Sequence, residues 1–465
     1  MALKFFNTLS RRKEIFRPLN GKNVGMYTCG PTVYDFAHIG NFRAYVWEDL
    51  LRRYLKYKGY KVKQVMNLTD VDDKTIKGSR AQGIPLQEFT EKYKKAFFED
   101  IAKLNIERVE IYPSATEHIN EMVALIRELL KKKYAYKGED GSIYYNIKKF
   151  KNYGKLSKFK LRKLIAGKRV KQDEYAKEVA SDFALWKAWD ENDGDVFWET
   201  ALGKGRPGWH IECSAMSMKY LGETFDIHTG GIDNMFPHHE NEIAQSEAAT
   251  GKRFVKCWMH CRHLLVDGKK MSKSLGNFYT PRDLQKYDAN AIRYLLLATH
   301  YRKELNFTLQ GLEGAKNIVG HLNETIRRLK DANGKENEIV YALIKKIKIE
   351  FESAMDDDLD ITKALSALSE FEKQMNKAID AGELSRNNAN VAIEFLQSVD
   401  SVLGIMKFES GKLELSAEVE KLIEERENAR KGKDFAKADE IRAKLKEMGY
   451  ALDDTPEGAK ARKIA

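Results

Sequence analysis

The chain has 465 residues, 43% apolar and 32% charged, with 80 Lys and Arg against 69 Asp and Glu. A length beyond what one hydrophobic core serves predicts two to four domains, and the composition suits soluble folded domains rather than disorder. No apolar run nears the roughly 18–20 residues that span a bilayer, Met1–Leu9 is charged too early for a signal peptide, and four cysteines are too few for a disulfide framework, so a membrane protein, a disulfide-stapled secreted fold and a small binding module are excluded and a reducing cytosol is the expected setting.

In chain order, residues 23–29 (Asn-Val-Gly-Met-Tyr-Thr-Cys) read as a short buried strand, broken at Gly30-Pro31. A helix follows, with apolar positions at Val46, Leu50, Leu51, Tyr54 and Leu55, and Val62–Met66 gives the next strand. Strand, helix and strand in this spacing form a βαβ unit, hence a parallel sheet with a right-handed crossover. Ligands of such sheets gather at the carboxyl ends of the strands. Cys29 falls at one such end and Asn67-Leu68-Thr69-Asp70 at another. From about 115 to 200 the rhythm is interrupted by a helix at Ile119–Lys132, a Gly-Glu-Asp-Gly turn at 138–141 and a basic stretch, which together read as an insertion. Between Lys148 and Lys171 there are eleven basic residues and no acidic one. Aromatics at Phe150, Tyr153 and Phe159 interleave with them, a pattern suited to a polyanion, although a solvated face is the plainer reading. Strands are predicted again near Thr224–His228 and Val255–Cys261, with a helix ending near Thr250 between them. Past about 315 long helical patterns dominate, as at Ala364, Leu365, Leu368 and Phe371. A charged helical pair near 415–447 ends at Gly449, and a short polar tail is expected beyond it.

Three groups of residues carry chemistry. His238 and Glu242, in Pro237-His238-His239-Glu240-Asn241-Glu242, are four apart and share one helical face; His239 with Glu242 is an equally simple pair by spacing. Imidazole and carboxylate together suit a divalent transition metal, and with thiolates from Cys29 and Cys213 they would complete a tetrahedral zinc shell if the fold brings them together. A rival cluster of Cys257, Cys261, His260 and His263 lies on a predicted strand, where residues four apart stand roughly 13 Å from each other; these are read as structural. His38-Ile39-Gly40-Asn41 opens the first helix, where free backbone N–H groups favour phosphate. Gly268-Lys269-Lys270-Met271-Ser272-Lys273-Ser274-Leu275-Gly276-Asn277 is a cationic loop able to close on a departing pyrophosphate. Gly203-Lys204-Gly205-Arg206-Pro207-Gly208 matches a dinucleotide fingerprint formally, but its proline and the lack of a clear strand before it make it a loop.

These stretches resemble the class I aminoacyl-tRNA synthetases and, within them, the cysteinyl-tRNA synthetase family. His38-Ile39-Gly40-Asn41 stands for the family's "HIGH" signature, with Asn in its last place, and Lys270-Met271-Ser272-Lys273-Ser274 matches "KMSKS", about 230 residues on. The cysteine-specific likeness rests on Thr28-Cys29-Gly30-Pro31, Asn67-Leu68-Thr69-Asp70, Trp209-His210-Ile211-Glu212-Cys213 and Gly230-Gly231-Ile232-Asp233 running on to Glu242. It extends to Ala354-Met355-Asp356-Asp357-Asp358 and Lys433-Asp434-Phe435 in the helical half. Trp198–Gly203 departs from the usual Ser-Pro-Trp-Gly.

The resemblance implies an α/β fold: a Rossmann-like parallel-sheet catalytic domain with an insertion, then an α-helical bundle and a small C-terminal domain. The expected limits are 1–114 and 205–265 for the two catalytic halves, 115–204 for the insertion, 266–315 for the KMSKS loop and stem-contact region, 316–412 for the tRNA-binding bundle and 413–465 for anticodon recognition. It also implies ATP-dependent activation of L-cysteine and transfer to tRNA(Cys). The implied zinc ligands are Cys29, Cys213, His238 and Glu242, one ion per subunit, and Mg²⁺ comes with ATP. His38, Asn41, Lys270 and Lys273 are the implied catalytic groups. ATP would also touch Gly40, Met271, Ser272 and Ser274, and cysteine would be lined by Thr69, Trp209, His228 and Asp233. A cytoplasmic monomer without membrane contact is expected. The rival readings are a ligase joining cysteine to an amino sugar, as in mycothiol synthesis, a non-catalytic RNA-binding paralogue, and a zinc hydrolase.

Overall fold

Four strands, all parallel to their neighbours, form the sheet that positions the site, in the order Val255–Cys261, Phe225–Gly231, Asn23–Thr28, Lys61–Met66. The structure is a computed structural model describing residues 2–158, 182–271, 275–408, 416–432, 434–455 and 458–463. The register pairs Thr28 with both Met66 and Thr229, and Gly231 with Cys261, so the carboxyl ends of all four strands reach one edge. Phe225–Gly231 is buried almost throughout, as a parallel strand covered on both faces must be.

Helix Ile39–Tyr57 links the strands Asn23–Thr28 and Lys61–Met66 and buries 14 of its 19 residues. Its polar members are tied down. Arg53 Nε donates to Asp49 Oδ2 at 2.7 Å, Arg293 reaches the same oxygen, and Arg43 caps backbone carbonyls at Leu296, Thr299 and His300. Helix Trp209–Leu221 precedes Phe225–Gly231, and helix His238–Thr250 leads from that strand to Val255–Cys261, stopping at Gly251 in the left-handed region (φ +74). At the strand edge Gly30 is obligatory: a Cβ there would lie 1.8 Å from the carbonyl oxygen of Asn67. An antiparallel hairpin, Lys4–Asn7 with Arg12–Ile15, is stitched to the outer strand by Asn7, whose side chain accepts from Trp258 N and donates to Lys256 O.

The interruption after residue 115 is a helix, Ile119–Lys131, backed by a five-stranded antiparallel sheet in the order Ala135–Lys137, Ile143–Tyr145, Phe183–Ala188, Gly203–Pro207, Trp198–Thr200. Here the sequence reading is corrected. Gly203–Pro207 is a strand, not a loop. Glycine suits it because a Cβ at position 205 would lie 2.1 Å from the carbonyl oxygen of Lys187 on the paired strand, and its proline sits at the last residue, where it ends the ladder. Of the basic stretch, Lys148–Lys158 is described and 159–171 lies outside the described residues. The described part is clasped to helix His238–Thr250. Glu240 accepts from Gly154 N (2.9 Å), Leu156 N (3.1 Å), Ser157 N (2.8 Å) and Ser157 Oγ (2.8 Å), Tyr153 donates its hydroxyl to Asn241, and Lys155 pairs with Glu247.

Helices Leu309–Asp331, Glu338–Asp356, Ile361–Asp380 and Arg386–Leu403 complete a compact unit spanning Met1–Met406. The Asp356-Asp357-Asp358 motif is structural there. Asp358, at φ +71 and fully buried, accepts from Phe6 N, the Tyr301 hydroxyl and Arg302 Nε, while Asp356 takes the Tyr54 hydroxyl. A second unit, Lys407–Ala465, holds helices Ala417–Lys431 and Phe435–Glu447 around Val419, Leu422, Ile441, Leu445 and Leu452. Its end is not a polar tail: Tyr450–Thr455 and Gly458–Lys463 pair as an antiparallel hairpin, with Leu452 in the small core. No helix among the described residues is long and apolar enough to cross a membrane.

Candidate active site

Cys29 ends the strand Asn23–Thr28, Cys213 lies one turn into helix Trp209–Leu221, and His238 and Glu242 open helix His238–Thr250. The structure brings these four together: their ligand atoms all lie within 4.8 Å of one another, and all four residues are buried. A second group with the same property shares two of them, being Cys29, His228, His239 and Glu242. Cys257 and Cys261 are buried on the outer strand and belong to neither group.

The donor set fits a soft divalent cation. Glu242 Oε2 is held by His228 Nε2 at 2.9 Å, which leaves Oε1 toward the cluster. That oxygen makes no hydrogen bond although His238 Nε2 is 3.1 Å away, the arrangement of two donors whose lone pairs converge on a common point. The other nitrogen of His238, Nδ1, meets His210 Nδ1 at 2.9 Å, so the ring is oriented with Nε2 inward. Trp209 stacks on His238 with centroids 4.3 Å apart. Burial pushes the Cys29 and Cys213 thiols and the Glu242 carboxyl up in pKa, and pushes His238 and His239 well down. Each group is driven toward neutrality because the pocket offers little else to compensate charge; a bound cation would reverse this for thiolate and carboxylate.

Behind this shell lie residues that sequence reasoning missed. His239 Nε2 is 3.2 Å from Cys29 Sγ, His239 Nδ1 is 2.8 Å from His260 Nε2, and His260 Nδ1 is 2.9 Å from Thr8 Oγ1. His210 and His260 are both pushed down to about 3 by burial. His239 could be seen as a partner of Glu242 by spacing, whereas nothing in the sequence pairs it with a strand residue or with Thr8. Glu212 is another such residue. Fully buried, it accepts from the Thr69 hydroxyl at 3.1 Å, and Thr69 Oγ1 in turn accepts from Asn67 Nδ2.

Of the residues expected to line the amino acid, Thr69 and His228 are buried, Trp209 is half-buried and Asp233 is exposed in the short turn Ile232–Met235. The two segments expected to handle phosphate come together at the amino end of helix Ile39–Tyr57. His38 and Asn41 cap it reciprocally: His38 Nδ1 accepts from Asn41 N, and Asn41 Oδ1 accepts from His38 N. With Nδ1 accepting, the neutral ring carries its proton on Nε2. No acidic side chain occupies the first turn, which keeps that helix end positive. Met271 Cε would lie 3.1 Å from a Cβ at Gly40, Phe278 packs edge-on to His38, and Ile39 N donates to Tyr279 O. Lys270 is exposed on the strand Lys269–Lys270; Ser272, Lys273 and Ser274 lie outside the described residues.

Three family models match in succession: the tRNA synthetases class I (C) catalytic domain at residues 15–317, the DALR domain at 350–407, and the cysteinyl-tRNA ligase anticodon binding domain at 413–462. The chain is 50% identical to the cysteine–tRNA ligase of Protochlamydia amoebophila over 469 residues, covering 100% of this chain and 98% of that one. It is 51% identical to that of Brachyspira hyodysenteriae over 468 residues, covering 98% of both. Among solved structures, a Mycobacterium tuberculosis methionyl-tRNA synthetase in complex with methionyl-adenylate superposes with a TM-score of 0.64 at 15% identity, covering 82% of this chain and 92% of that one, a likeness of fold alone.

Proposed function

This chain belongs to the class I aminoacyl-tRNA synthetases and, within them, to the cysteine–tRNA ligases, and from that premise we propose how its residues divide the work of joining L-cysteine to tRNA(Cys). In the first half-reaction a carboxylate oxygen of cysteine attacks the α-phosphorus of ATP, and the bond to the pyrophosphate oxygen breaks. In the second, the 2′-hydroxyl of the terminal adenosine attacks the acyl carbon, loses its proton and releases AMP. Neither step needs a covalent enzyme intermediate, so catalysis is positioning and charge stabilisation.

His38 presents Nε2–H and the open amino end of its helix to the phosphates, with Asn41 holding the cap and Gly40 admitting the ligand to the backbone. Lys270 and Lys273, with Met271, Ser272 and Ser274, follow the pyrophosphate as it leaves, and Mg²⁺ accompanies ATP. Thr69, Trp209, His228 and Asp233 line the amino acid. Cys29, Cys213, His238 and Glu242 would hold one zinc ion per subunit, and that ion would supply a Lewis acid with affinity for thiolate sulfur over the hydroxyl of serine. A pocket relying on shape alone would separate two such near-isosteres by only roughly one to two orders of magnitude. The bundle at 316–412 and the module at 413–465 are assigned to tRNA, and the protein is read as a cytoplasmic monomer. The match to an anticodon-binding family model at 413–462 favours tRNA over an amino-sugar acceptor.

The observation that carries this reading is the convergence of two thiols, an imidazole and a carboxylate, drawn from three separate places in the chain, within 4.8 Å. Aminoacylation of tRNA(Cys), measured with cysteine and with serine before and after treatment with a zinc chelator, tests it. Charging with cysteine alone, lost on chelation and restored by zinc, is the expected result; a preference for cysteine that survives metal removal would refute it.

A further inference from the structure

Two overlapping donor sets share Cys29 and Glu242, and they differ in what His239 does. Its Nε2 stands 4.0 Å from Glu242 Oε1, against 3.1 Å for His238 Nε2, and it already has a partner in Cys29 Sγ at 3.2 Å. Its far nitrogen is likewise engaged by His260, and His260 by Thr8. All three residues are buried. The His239 ring is fixed by packing as well: Trp258 lies 5.1 Å away, and there is room for the ring beside position 230 only because that residue is glycine, where a Cβ would come within 2.8 Å of it. Thr8 is placed by the N-terminal hairpin, its own N–H donating to Trp258 O at 2.8 Å.

We infer that His239, His260 and Thr8 are positioning residues outside the metal's own ligand shell, joined in a one-way hydrogen-bond relay that ends in an N–H···S bond on Cys29. The direction follows from the end group. A metal-bound thiolate has no proton and can only accept, so His239 donates from Nε2 and must accept at Nδ1. His260 then donates from Nε2 and accepts at Nδ1, and the Thr8 hydroxyl, free to rotate, donates there. Each imidazole is neutral with one donor and one acceptor, and every link is satisfied. The relay does two things: it fixes the Cys29 rotamer, and it draws electron density from the thiolate, so that Cys29 gives less of its charge to the metal and leaves more Lewis acidity for an incoming sulfur. The inference rests on zinc occupying the Cys29, Cys213, His238, Glu242 set.

The experiment uses the full chain and five variants, His260→Leu, His260→Gln, Thr8→Val, His239→Leu and His238→Leu, with zinc affinity read by competition with a chromophoric chelator and the thiolate-to-metal charge-transfer band read after Co²⁺ substitution. His260→Leu is expected to weaken zinc binding by about 10–100-fold, the range for loss of an outer-shell partner, because losing the fixed Cys29 rotamer costs more than the regained thiolate density returns, and to move the cobalt band to lower energy as the thiolate regains density. His260→Gln keeps an N–H donor and should restore most of both. Thr8→Val, nearly isosteric, should shift both in the same direction by less, and it keeps the test open if the leucine variant does not fold. Wild-type affinity and an unmoved band in the leucine and valine variants would overturn the relay. Complete loss of zinc in His239→Leu with retention in His238→Leu would also overturn it, by making His239 a direct ligand. Absence of metal uptake by the wild-type protein would instead overturn the zinc reading beneath it.

Discussion

The two ends of the reaction are built in opposite ways. The pocket proposed to recognise sulfur is closed: helix His238–Thr250 buries every residue from His238 to Ser246, and Cys29, His238 and Glu242 are each braced by a further side chain. The phosphate-handling edge is open, with His38, Gly40, Asn41 and Met271 half-buried and Lys270 exposed. The difference follows the chemistry. Choosing between sulfur and oxygen requires a prebuilt set of donors whose geometry cannot relax toward the wrong atom, whereas a polyphosphate that must enter, react and leave as pyrophosphate is better met by backbone N–H groups and long cationic side chains that can follow it.

That contrast can be broken at either end. The largest effect is expected inside the pocket. Cys213→Ala should reduce zinc content to background and cysteine-dependent ATP–pyrophosphate exchange by more than about 100-fold, beyond what outer-shell losses cause; metal analysis and exchange on one preparation check it, and full zinc content would sever Cys213 from the site. Next comes the open edge. Lys270→Ala should lower kcat by about 100-fold, the low end for losing a donor to transition-state charge, while zinc content and the KM for cysteine stay unchanged. A concurrent loss of zinc would mean that the two ends are not independent.

The smallest effect concerns a buried carboxyl that is not among the four residues proposed to hold zinc. Glu48, in the middle of helix Ile39–Tyr57, has both carboxyl oxygens buried and without hydrogen-bond partners. Burial raises its pKa well above the usual range, and the nearby Thr229 side chain opposes that only in part. Glu48→Met should stabilise the fold by about 1–3 kcal/mol at neutral pH, the scale of an unsatisfied buried polar group. The sign with pH follows from the raised value. The carboxyl's contribution to stability is fully present below its unfolded pKa, near pH 4.3, and is lost as pH climbs toward the raised folded value, so the variant's advantage should grow over that interval. Thermal melts at acid and neutral pH check both statements, with zinc content unchanged in each.

Much of the sheet and most of the pocket were legible in the sequence because they obey local rules. Apolar runs marked the strands Asn23–Thr28 and Lys61–Met66, the first broken at Gly30-Pro31, and a four-residue spacing put His238 and Glu242 on one helical face. Cys29 and Cys213 could be joined to that face only conditionally, since their meeting depends on strand order and on the helix before Phe225. His260 is the instructive case. Its reading as a structural strand residue holds, and it belongs to neither candidate metal group, but its contact with His239 on helix His238–Thr250 joins two elements and leaves no local signal. The strand Gly203–Pro207 and the C-terminal hairpin escaped notice for a different reason. Glycine, proline and charge mask the first, and the second carries a single core residue, Leu452, too little for an alternating pattern to register.

The clasp around Glu240 has one more consequence. Four hydrogen bonds from Gly154, Leu156 and Ser157 end on a carboxylate seated between His239 and Asn241 in the chain, so the approach to the lysine-rich stretch is moored to the same turn of helix that bears His238 and Glu242. Tension applied to that tether, by crosslinking or by a docked polyanion, therefore has a rigid lever of under one helical turn through which to reach the amino-acid pocket.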